Sequence, residues 1–96
     1  MGAQGTALID FGAFPGKSDA SVNVTGQVGI ASGSLVEAWA LPAQTADHSA
    51  DEHRVETLMV LAGSIVAGTG FTLYGANNGR GDTMLYGQWN LAWVWN

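Results

Sequence analysis

From residue 85 onward the odd positions carry Leu85, Gly87, Trp89, Leu91, Trp93 and Trp95. The even positions carry Tyr86, Gln88, Asn90, Ala92, Val94 and Asn96. Period two predicts a β-strand over 83–95, because successive side chains of a strand point to opposite faces of its sheet. Three of the four tryptophans thus share one face with two leucines. That apolar load requires burial against a second sheet or against another subunit.

Five further strands follow from the same reading. They span residues 6–11, 20–25, 34–41, 54–62 and 70–75. The second is rich in β-branched residues, which favour a pleated, half-buried surface. Turn-forming stretches separate them, such as Gly12 to Asp19 with Pro15 and Gly16 inside it. In the fourth stretch Val55, Leu58, Met59 and Ala62 also fit a helical period. Apolar residues on both faces and the immediate Gly63 favour a strand. Such a strand is either central, or packed on the core with one face and on a neighbouring subunit with the other. The polar segment 43–53 is the longest break and has room for a short turn of helix. Fourteen glycines argue against long helices. Short strands without alternating helices predict an all-β fold, a six-stranded or slightly larger antiparallel β-sandwich in a single domain over 1–96.

Composition sharpens this picture. The chain is 47% hydrophobic and only 11% charged, whereas soluble domains average about 25% charged residues. A small domain has a high surface-to-volume ratio and needs more polar cover, not less. Coverage of part of the surface by partner subunits is the favoured resolution, and a monomer whose surface is mostly Ser, Thr, Asn, Gln and Gly is the alternative. The expected contacts are Val55, Met59 and Leu61 on the fourth strand and Trp89, Trp93 and Trp95 on the last.

The net charge is −5, with Lys17, Arg54 and Arg80 as the basic residues. Three dispersed cations cannot track a phosphate backbone, so no nucleic-acid partner is expected. No apolar run reaches the roughly 18 residues of a membrane span, so no membrane partner is expected either. The N-terminus lacks the basic and apolar regions of a signal peptide, and the chain has no cysteine. Synthesis in a cytoplasm is the expectation.

The densest cluster of chemistry-bearing residues is Asp47-His-Ser-Ala-Asp-Glu-His53. Histidine with carboxylate suits zinc, nickel or manganese, which makes His48, Asp51 and His53 the candidate metal ligands. Their five-residue histidine spacing matches no standard motif. The competing reading is a polar loop whose side chains bond to backbone. No cofactor and no enzymatic activity are expected. There is no G-x-S-x-G elbow, and nothing fixes a separation between Asp10, Glu37 and Glu56 on their strands. The four tryptophans offer a sugar-stacking platform in principle, but three of them share a face with leucines, which favours packing. Tyr74 and Tyr86, on the other faces, together with Arg80 in the turn-rich segment 77–82, are the candidate ligand contacts.

Two resemblances add to this. Val55 to Val60, then Ile65-Val-Ala-Gly-Thr-Gly70-Phe-Thr-Leu-Tyr74, then Leu85-Tyr-Gly-x-Trp89-Asn-x-Ala-Trp93 resemble the strand pattern of H-type lectin domains over residues 53–95. That resemblance implies a six-stranded antiparallel sandwich, trimer formation and carbohydrate binding. Over nearly the full length, Ile9 to Gly16, Val24 to Gln27, Asp47 to His53, Gly68 to Phe71 and Trp93 to Asn96 resemble small proteins of tailed bacteriophages. This implies a virion structural protein made in the host cytoplasm. It would be a self-associating capsid decoration or cement subunit, or a lectin-like receptor-binding module of a tail fibre. Its partners would be copies of itself and phage capsid or tail proteins.

Overall fold

The computed structural model describes residues 2–55, 58–77 and 84–96, apart from the side chains of Glu52, Arg54 and Val55. Among the described residues six strands are arranged in two three-stranded antiparallel sheets. They are β1 (Ala3–Asp10), β2 (Asp19–Val24), β3 (Val36–Ala40), β4 (Leu58–Val66), β5 (Gly70–Asn77) and β6 (Gln88–Trp95), with a short helix α1 (Ala50–Val55) between β3 and β4. One sheet has the order β1-β6-β3 and the other β2-β5-β4. At the two sides, β3 lies against β4 and β1 against β2. The result is the all-β, six-stranded sandwich that the alternation predicts.

The core is built on one large-and-small rule. β6, the central strand of its sheet, sends Trp89, Leu91, Trp93 and Trp95 inward, all buried. Opposite them β1 places Ile9, Ala7, Gly5 and Ala3, and β3 places Ala40, Ala38 and Val36 opposite Leu91, Trp93 and Trp95. The indoles lie out over these small flanking residues. A Cβ on Gly5 would sit 2.5 Å from Cζ2 of Trp93, so the ring occupies the volume a side chain would need. Phe71 and Leu73 of β5 close the core from the other sheet, with Phe71 edge-on to Trp93 at 5.3 Å. Each buried indole removes about 200 Å² from water, an upper-bound gain on the order of 5 kcal/mol before entropy.

Burial inside the chain corrects the expectation that Trp89, Trp93 and Trp95 lie at a subunit interface. The second sheet covers them, and little of any of the three reaches the surface. The fourth strand is also corrected at its start. Arg54 and Val55 end α1, and β4 begins at Leu58. Val55 is therefore not on β4, and its side chain lies outside the described residues. Strand β4 runs on to Val66 through an irregularity after Gly63, where Ser64 adopts φ 52°. The last strand is shorter than the alternation suggests. Leu85 bridges to Lys17 separately, and Gly87 at φ 72° turns the chain before β6 starts.

Candidate functional site

The polar segment 43–53 is sewn to the start of β6 by hydrogen bonds. Thr45 is its hub. Its hydroxyl donates to the Gln88 carbonyl at 2.9 Å and accepts from the backbone N–H of Asp47 at 3.1 Å and of His48 at 3.0 Å. One donor and two lone pairs are all that a threonine hydroxyl has, so its capacity is filled. Asp47 Oδ2 accepts from the Gln88 N–H at 2.8 Å. This requires glycine next door, because a Cβ on Gly87 would meet the Asp47 side chain at 2.7 Å. Asn90 reaches back from β6, its amide donating to the Ala43 carbonyl at 2.7 Å.

Both histidines are buried and face β6. His48 Nε2 donates to the Tyr86 carbonyl at 2.6 Å, and its ring stacks on Trp89 with centroids 3.7 Å apart and planes 20° apart. His53 Nε2 accepts from the Asn90 N–H at 2.9 Å, which places its proton on Nδ1, where it donates to the Ser49 carbonyl at 2.8 Å. Its edge meets Trp89 at 4.9 Å. The rings continue outward. Tyr86 leans on His48 at 4.9 Å, and Phe14 stands at 79° to Tyr86 with centroids 5.3 Å apart. An array of rings thus runs from the buried Trp89 through His48 and Tyr86 to Phe14, which is 77% exposed.

This arrangement corrects the metal expectation for His53, and with it for the trio His48, Asp51 and His53 acting together. A ring nitrogen needs a free lone pair to bind a metal. His53 has spent its lone pair on Asn90 and its proton on Ser49, which removes it as a ligand, and His48 Nε2 carries a proton, which removes that nitrogen. Asp51 is exposed. Among the described residues no group of three histidines or acids is placed to hold an ion. Physically, the loop needed two aromatic donor–acceptor rings to seal Trp89 and bond to backbone, and histidine meets both needs.

The outer faces of the two sheets differ in chemistry. On the β2-β5-β4 sheet, Asp19, Ala76 and Met59 form one cross-strand row and Ser21, Tyr74 and Leu61 the next. Met59, Leu61, Val66 and Tyr74 are all exposed there, Leu61 at 59%. The Tyr74 hydroxyl is bonded to Ser64 Oγ at 2.5 Å, which fixes the ring on the exposed face. On the β1-β6-β3 sheet the rows are Gln4, Val94 and Glu37, then Thr6, Ala92 and Trp39. Trp39 is 47% exposed and walls a shallow groove with Leu41, Gln4 and Thr6 over an Ala92 floor.

Of the sequence-derived ligand candidates, Tyr74 lies on β5 and Tyr86 in the turn before β6, so the two are not brought together, and Arg80 lies outside the described residues. Phe14, Asn90, Thr45 and the outward placement of Trp39 were not singled out from sequence. Compared with known proteins, the chain matches no family model, no curated protein and no solved structure. Among the described residues no helix is long and apolar enough to cross a membrane.

Proposed function

We propose that this chain is a structural subunit of a tailed-bacteriophage virion that associates with copies of itself, as a trimer, in a decoration or cement role. The observation that carries the self-association is the outer face of β4 and β5. Met59, Leu61 and the Tyr74 ring lie together there, with Val66 exposed farther along the same face and Asp19 the one charged side chain in the two cross-strand rows of that patch. Aliphatic, methionine and tyrosine side chains with few charges are what interface cores use, and exposed apolar patches of this kind mark contact sites. The low charge of the chain and the resemblance of its segments to phage proteins support the same reading. On a particle, several modest contacts acting together raise the net attachment through effective concentration.

A second reading has one observation in its favour. Trp39 presents its ring beside Gln4, Thr6 and Glu37 on the opposite sheet. An aromatic face ringed by amide, hydroxyl and carboxylate suits a sugar ring, which has an apolar face and polar edges. This favours a lectin-like module of a tail fibre.

Quantitative mass spectrometry of purified heads and tails tests both readings. Hundreds of copies per particle with the heads is the expected result for decoration. A few copies with the tails transfers the chain to the fibre reading. Absence from both removes the virion assignment.

A further inference from the structure

The outermost ring of the array ends in a corner that neither sheet face uses. Phe14 and Tyr86 form two walls at 79° to one another. Asp10, Asp47, Gly12, Ala13 and Gly87 complete a cavity of about 380 Å³ where β1 ends and β6 begins. Both carboxylates are held in place by backbone. Asp10 Oδ1 accepts from the Gly12 N–H at 2.8 Å and Asp47 Oδ2 from the Gln88 N–H at 2.8 Å. In each case one oxygen is fixed, which aims the carboxylate without using its second oxygen in that bond. Among the described residues no basic side chain lines the cavity. The nearest described cation is Lys17, whose exposed side chain runs beside Gly12.

We propose that the corner formed by Phe14, Tyr86, Asp10 and Asp47 is a binding site for a guanidinium group, an arginine side chain of a partner protein. Three features combine here. An exposed aromatic face attracts a cation through its quadrupole. Two carboxylates accept hydrogen bonds, and guanidinium presents five donors in a planar fork that can stack on a ring while bonding at its edge. The walls are already positioned, because Tyr86 is braced by His48 and His48 by Trp89. An ammonium offers the charge but neither the plane nor the fork. Lys17 is the internal competitor, able to swing toward Asp10. The site lies where β1 ends and β6 begins, shares no lining residue with the Met59 and Leu61 patch, and so goes beyond the self-association reading.

The test is an NMR titration of the full chain with N-acetyl-arginine amide, read at the Phe14 and Tyr86 ring protons. Saturable shifts are expected. Phe14→Ala weakens binding about threefold, the size of an exposed cation–π contact. Asp10→Asn and Asp47→Asn keep the carbonyl that accepts the backbone N–H and remove the charge. Each weakens binding about two- to fivefold, as for exposed ion pairs. Lys17→Ala tightens it. The fold is checked by the unchanged ring-current shifts of Leu91 and Leu73 in each variant. No saturable shift, affinities unchanged in Phe14→Ala and both asparagine variants, or equal affinity for N-acetyl-lysine amide would overturn the assignment.

Discussion

The backbone N–H of Asn90 donates to Nε2 of His53 across 2.9 Å. This one bond joins the helix-bearing segment to the central strand and takes the lone pair a metal would need. Removing the ring in His53→Ala leaves the Asn90 N–H and the Ser49 carbonyl without their partner and uncovers an edge of Trp89. The expected loss is about 2–3 kcal/mol, a fall in Tm of roughly 10–20 °C for a domain of this size. Thermal unfolding with and without added zinc is the measurement. Zinc is expected to leave the Tm of the native chain unchanged, and a rise of several degrees that is absent in His53→Ala would show that His53 is released to bind it.

Thr45 holds the same segment from its other end. Thr45→Val keeps the shape but removes one donated and two accepted hydrogen bonds. The expected cost is about 2–3 kcal/mol, with Thr45→Ser costing under about 1 kcal/mol because its hydroxyl remains. Since both variants loosen one segment, the double variant with His53→Ala should fall short of the sum by more than about 0.5 kcal/mol. Additive losses in urea unfolding would mean that the two anchors act independently.

Gly5 and Trp93 test the large-and-small rule of the core. Gly5→Ala places a methyl 2.5 Å from the indole, so the ring or the strand must move, at a cost of about 1–3 kcal/mol. Trp93→Phe shortens the ring and makes room. In the Trp93→Phe background, Gly5→Ala should therefore cost at least about 0.5 kcal/mol less than it does alone. Equal costs in both backgrounds would locate the penalty in the backbone of β1 instead of in the contact.

The strands and the inward face of β6 were legible from alternation alone, because an amphipathic strand declares its period and its large residues together. β3 was less legible for a physical reason. The larger apolar residues in and beside it, Leu35, Trp39 and Leu41, share one parity, and Val36, Ala38 and Ala40 share the other. Hydrophobicity alone turns the tryptophan inward. The structure turns it outward, since β6 already fills the interior with indoles and leaves only alanine-sized space beside Trp93 and Leu91. Which parity wins is decided by the volume of the neighbouring strand, which is not visible within β3. The segment 47–53 was similarly ambiguous. Two histidines among acids read as ligands or as backbone partners, and only the proximity of Trp89, Tyr86 and Asn90 selects the second. α1 hid the true start of β4 because a helical and an extended period coincide between Val55 and Ala62.

The two outer faces make separable predictions about what the chain contacts. Leu61 is 59% exposed, so Leu61→Asp should change folding stability little, within about 0.5 kcal/mol. In an interface the same aspartate would be a desolvated, unpaired charge, expected to weaken association by at least about 3 kcal/mol, more than a hundredfold. Sedimentation should therefore find the native chain as a trimer and Leu61→Asp as a folded monomer. Trp39→Ala, on the other sheet, should leave the trimer intact. If the groove of Gln4, Thr6 and Trp39 holds a sugar, that variant alone should lose the tryptophan fluorescence change produced by neutral disaccharides. A native chain that stays monomeric at all concentrations would remove the self-association reading, and a trimer that survives Leu61→Asp would move its contact away from β4. Because the faces share no side chain, failure on one side leaves the other side's result standing.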